Sequence, residues 1–73
     1  MTTTQRFATT GMHCHSCSML IQMDVGGMDG VEAVVSDHRT GITEVTYDDS
    51  VLGPEQIVEA IVKAGYGAEP AGD

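Results

Sequence analysis

Tryptophan is absent from this 73-residue chain, and Phe7, Tyr47 and Tyr66 are its only aromatic residues. With so few rings, a core has to be assembled mainly from Val, Ile, Leu and Met, and each of these buries less area than an aromatic side chain. Basic residues are equally scarce. Arg6, Arg39 and Lys63 stand against 11 acidic residues, for a formal net charge of −8. Nucleic acids and anionic membrane surfaces are bound by clustered Lys and Arg, so both are excluded as expected partners. A partner that presents basic residues remains compatible, although acidity also serves solubility alone. No apolar run approaches the roughly 18–20 residues that span a bilayer, and no signal-peptide pattern opens the chain, so no direct membrane insertion is expected. The expected compartment is the cytoplasm, whose reducing poise keeps thiols free. The length implies one small domain, 1–73 with its core at about 5–69, near the lower limit for an unaided core.

What is present is concentrated in one stretch. Gly11-Met12-His13-Cys14-His15-Ser16-Cys17 holds the only 2 cysteines and two of the 3 histidines. Thiols separated by two residues can close on one soft metal ion or on each other as a disulfide, and imidazoles at 13 and 15 are borderline ligands able to join them. The spacing alone does not choose between metal and redox chemistry. A thioredoxin-like redox site, however, calls for a longer fold and different flanking residues.

Along the chain, Met1 to Thr4 reads as a frayed polar start. Gln5 to Thr10 is rich in β-formers, with Phe7 and Thr9 on one face, and predicts a short strand ended by Gly11. A helix is expected over about Ser16 to Val25, with Cys17, Ile21, Val25 and Met28 as its buried stripe and Leu20 and Met23 as core edge or exposed contact. Gly26-Gly27 weakens the helix end, and Asp29-Gly30 turns the chain. Val31 to Asp37 and Ile42 to Tyr47 predict two more strands, joined by a hairpin at His38-Arg39-Thr40-Gly41. Pro54 is a good first helical residue, and Glu55 to Ala64 continues the helix with Ile57, Val58, Ile61 and Val62 covering one face. Glu55 and Glu59 read as a solvated face. Gly65 caps the helix, Tyr66 to Glu69 predicts a short last strand, and Ala71-Gly72-Asp73 reads as a tail. The order βαββαβ is that of the α+β ferredoxin-like fold, a four-stranded antiparallel sheet with two helices on one face.

In this setting the chain resembles the heavy-metal-associated domain of small copper chaperones and copper-pumping P-type ATPases, over nearly its whole length. Gly11-Met12 with Cys14 and Cys17 is similar to that family's Gly-Met-x-Cys-x-x-Cys loop. Gly30-Val31 resembles the start of its second strand, Thr40-Gly41 its hairpin and Val45-x-Tyr47-Asp48 its third strand. Ala60-Ile61 and Ala64-Gly65-Tyr66 resemble its second helix and exit loop. Three positions depart from the pattern: His13 stands where Thr is common, and Ser36 and His38 where Val and Leu are usual. These departures bear on ligand number and local stability, not on the fold.

The resemblance implies metal binding by Cys14 and Cys17, with Met12 pointing inward as a packing anchor and Tyr66 beneath the loop. Cu(I) is soft and content with two thiolates, and a cysteine at a helix start is favoured as thiolate by unpaired N–H groups and the helix dipole. Two-coordinate binding leaves room for an incoming thiol, so the ion can pass to a partner by ligand exchange. The expectation is a non-enzymatic cytoplasmic Cu(I) metallochaperone that delivers copper to the metal-binding domain of a copper-transporting P-type ATPase. Its apo form is expected to be a monomer, with a metal-bridged dimer open. The alternatives are the N-terminal metal-binding domain of such an ATPase, or a Zn(II)- or Hg(II)-binding detoxification protein. Met12 and the histidines His13, His15 and His38 are the candidate additional ligands. In βαββαβ connectivity the loops after Thr10, Asp37 and Ala64 gather at one end, which places His38 at the same end as Cys14 and Cys17, either packed as a half-buried residue or reaching the thiols as a third ligand or hydrogen-bond donor.

Overall fold

Thr43, Val45 and Tyr47 are buried at every second position of a strand, and this alternation gives the sheet one inward and one outward face. The computed structural model describes residues 2–71. Its elements are β1 (Thr2–Thr10), α1 (His15–Gly26), β2 (Val31–Asp37), β3 (Ile42–Asp48), α2 (Pro54–Lys63) and β4 (Gly67–Pro70). The strands form one antiparallel sheet in the order β2-β3-β1-β4. The expected βαββαβ ferredoxin-like fold is the fold of the chain.

Phe7, Val45 and Tyr47 from the sheet meet Ile21 and Val25 of α1, Ile57 and Ile61 of α2, and Leu52 from the loop between β3 and α2. Two of the three aromatics are thus core residues. The methionines Met12 and Met28 pack at the core's margin. Helix α2 buries Ile57 and Ile61 on one face, starting at Pro54 with the Gln56 side chain accepting from Gly53 N–H at 2.7 Å. On its outer side Glu59 pairs with Lys63 at 3.3 Å. Helix α1 leaves more apolar surface outside: Met19, Leu20 and Met23 are exposed, Met23 at 70 %.

Four local readings change. The expected frayed start is strand, because Thr2, Thr3 and Thr4 pair with Asp48, Tyr47 and Thr46 of β3; Met1 lies outside the described residues. The inward stripe of α1 runs through Ser18, not Cys17, which is half-buried. Val62 is 53 % exposed, and Ala60 packs against the core instead. The last strand is shifted one residue, to Gly67–Pro70, and Ala71 N–H still bonds Arg6 C=O at 3.0 Å. The rest of the expected tail, Gly72 and Asp73, lies outside the described residues.

Candidate metal centre

The chain leaves β1 through Gly11, whose φ of +90° suits a residue without a side chain. Tyr66 lies against it: a Cβ at Gly11 would meet Tyr66 Cδ1 at 3.4 Å. Met12 then turns toward the core, and its sulfur accepts from Ser36 Oγ at 3.3 Å and Ser18 Oγ at 3.7 Å. Ser36 Oγ and Thr43 Oγ1 share a hydrogen bond at 3.0 Å, and Thr43 Oγ1 and Thr9 Oγ1 another at 2.8 Å. This ladder of hydroxyls runs from the sheet to the base of the loop. It satisfies the buried Thr43 and Ser18, and it gives Ser36 a role that the usual Val could not fill.

Cys14 is the N-cap residue of α1, with extended φ −156° and ψ 174°, and Cys17 donates its N–H to Cys14 C=O at 3.1 Å. N-cap and the third helical residue are neighbours at a helix start, which is why capping boxes use that spacing. Here the same spacing brings two sulfurs together, 3.9 Å apart, with Cys14 exposed, Cys17 half-buried and both thiols free. With metal–sulfur bonds of about 2.3 Å, sulfurs on one ion sit roughly 3.8 Å apart at a tetrahedral angle and about 4.6 Å apart in line. The pair therefore needs only small side-chain rotations to grip an ion.

Electrostatics favour the thiolate. The Cys17 thiol is lowered from 9.0 to about 7, first by a hydrogen bond from the Tyr66 hydroxyl and then by the backbone at His13, with desolvation opposing them and Cys14 adding the least. The same bond raises Tyr66, because ionising the phenol removes the donor. No acidic residue stands in the first turn of α1, so no carboxylate competes for its positive end.

The histidines sit around this pair without closing on it. His13 and His15 are exposed and His38 is half-buried. His38 does lie at the cysteine end, its ring centroid 6.2 Å from that of His15. Among the described residues no three His, Cys, Asp or Glu side chains are gathered as a metal shell. The sequence reading missed the hydroxyl ladder. Its signals are Thr9 on the face of Phe7, Ser36 in place of an apolar residue, and Ser18, which fits the spacing with Ile21 and Val25 as well as Cys17 does.

Fold and site together define a ferredoxin-like domain with an open thiol pair at a loop–helix junction. The chain belongs to the heavy-metal-associated domain family, which matches residues 6–67. It is 34% identical over 56 residues to the copper chaperone CopZ of Bacillus subtilis, covering 77% of this chain and 81% of that protein. It is 36% identical over 67 residues to the cation-transporting ATPase HMA5 of Oryza sativa subsp. japonica, covering 92% of this chain but only 7% of that one. Among solved structures, the copper binding domain from HMA7, a P-type ATPase, superposes with a TM-score of 0.94 at 26% identity, over 99% of this chain and 96% of that one.

Proposed function

We propose that this chain binds one Cu(I) ion as cargo between the thiolates of Cys14 and Cys17 and passes it to a copper-transporting P-type ATPase. The observation that carries the reading is the open sulfur pair, 3.9 Å apart at the positive end of α1, with the Cys17 thiol lowered to about 7. A soft ion prefers two thiolates over the surrounding oxygen and nitrogen donors. The solvent side of the pair is open, so a partner cysteine can bond the ion before the first sulfur leaves. The role is binding and transfer, not catalysis, and the compartment consistent with free thiols is the cytoplasm.

The exposed Met19, Leu20 and Met23 lie on the helix that begins at the site, and supply an apolar contact for a docking domain. Because the chain carries a net charge of −8, the partner's matching face should be basic. A second reading, the metal-binding segment of such an ATPase, is favoured by the match to a short part of the Oryza ATPase. A Zn(II) or Hg(II) protein is the third.

Competition decides between metals. With the chromophoric chelator bicinchoninate, one Cu(I) per chain should be retained, while Zn(II) is lost to a weak chelator. Zn(II) held as firmly as Cu(I) would overturn the copper reading. Transfer is tested by mixing the Cu(I)-loaded chain with an isolated Cys-x-x-Cys domain of a copper ATPase. Copper should redistribute within seconds at low salt and more slowly as salt rises. No redistribution would refute the chaperone role.

A further inference from the structure

Two imidazoles far apart in sequence meet beside the thiol pair. His15 is the first residue of α1, and His38 opens the turn between β2 and β3. Their ring centroids are 6.2 Å apart with planes at 68°. His15 is exposed and His38 half-buried, so both rings reach solvent. The backbone beneath His38 is held firmly. Asp37 Oδ1 accepts Arg39 N–H at 2.8 Å, Asp37 C=O accepts Gly41 N–H at 2.9 Å, and Gly41 C=O accepts Thr9 N–H at 2.6 Å. The hairpin is thus fixed against β1, and β1 leads directly into the loop that starts α1.

With metal–nitrogen bonds of about 2.0–2.1 Å, two imidazoles sharing one ion place their centroids roughly 5–6 Å apart. The observed 6.2 Å lies just outside that range, a difference that small rotations of the two rings would close. Imidazole is a borderline donor that suits Zn(II), Ni(II) and Cu(II), whereas soft Cu(I) goes to thiolates. The net charge of −8 concentrates cations around the chain. The positive end of α1 beside His15 acts in the other direction, which makes such a site weak.

We propose that His15 and His38 form a second, imidazole-only site for a borderline divalent cation, with water completing the shell. It is separate from the thiol pair and stays available once the thiols are filled. The site does not depend on the copper reading.

The test uses the full chain with Cys14→Ser and Cys17→Ser, its fold checked by amide NMR dispersion, titrated with Zn(II). The ring resonances of His15 and His38 should move together to a one-to-one end point while those of His13 stay in place. Added to this variant, His15→Gln or His38→Gln should each weaken Zn(II) binding at least tenfold. The wild-type chain with its thiols first filled by Ag(I) should give the same titration, which keeps the test valid if the serine variant fails to fold. Unmoved rings at millimolar Zn(II), equal movement of His13, or an affinity unchanged by either single substitution would overturn the proposal.

Discussion

At the end of the sheet away from the cysteines, a Cβ placed on Gly30 would lie 2.5 Å from Leu52 Cδ2 and 2.9 Å from Val51 Cγ1; on Gly11, at the cysteine end, it would lie 3.4 Å from Tyr66 Cδ1. Both glycines have positive φ, +94° and +90°. The backbone requirement is therefore the same and the surroundings differ. Around Gly30 the turn is filled by apolar side chains, tied by Asp48 N–H to Gly30 C=O at 2.8 Å, and Asp48 caps Ser50 through its N–H at 3.0 Å and its hydroxyl at 2.6 Å. Around Gly11 the loop rests on one tyrosine and a ladder of hydroxyls, and Cys14 caps α1 without a side-chain bond. One end is closed by packing. The other keeps its thiols open while fixing the backbone beneath them.

Substitutions can break this contrast in order of size. Gly30→Ala should cost about 2–4 kcal/mol, from left-handed strain plus the overlaps with Leu52 and Val51. At about 4–8 °C per kcal/mol for a domain of this size, thermal unfolding should show a fall on the order of 8–32 °C. Gly11→Ala carries the same strain without the overlaps and should cost about 1–2 kcal/mol. If the two variants melt together, the ends are not built differently.

Thr43→Val is a smaller test. Thr43 is fully buried between Thr9 and Ser36, and losing its hydroxyl breaks the ladder at its centre. Denaturant unfolding should register a loss of about 1 kcal/mol, and the Met12 methyl resonance should shift as Ser36 reorients. An unmoved Met12 signal would show that the ladder does not reach the loop.

Tyr66→Phe acts on charge more than on stability. The alkylation rate of Cys17 against pH should have its midpoint near 7 in the parent chain and move toward the ordinary 9.0 without the phenol, since the Tyr66 bond is the largest cause of the lowering. A thiol lowered in the folded state stabilises it fully above the unfolded thiol's range, and that contribution is lost as pH falls through about 7. Asp48 gives the weakest signal, at the closed end. Its carboxyl is lowered from 3.8 to about 2, chiefly by Ser50, so its contribution is present above the ordinary carboxylate value and lost as pH falls through about 2. Asp48→Asn should remove that part of the acid dependence, read by unfolding between pH 5 and 2.

The order of elements, the hairpin and the gathering of three loops at the cysteine end were legible because local patterns agree: alternation in β3, helical spacing in α2, and glycines where φ is positive. The misses have physical reasons. Thr2 to Thr4 become strand only because β3 extends to meet them, a nonlocal cause. Cys17 and Ser18 are one helical step apart, and periodicity does not resolve which of them faces the core. Residue type places Val62 on the buried face, but the face is decided by where α2 rests, and Val62 is exposed. The meeting of His15 with His38 needs the distance between α1 and the hairpin, which no local pattern encodes.

The proposed hold of Cys14 and Cys17 on one Cu(I) is the step on which transfer depends. It is tested most directly by equilibrium Cu(I) titration against bicinchoninate, comparing the parent chain with Cys14→Ser and Cys17→Ser while circular dichroism reports the fold. The parent should bind one Cu(I) tightly, both variants should lose that binding, and secondary structure should not change. Tight binding retained by either folded variant would contradict it.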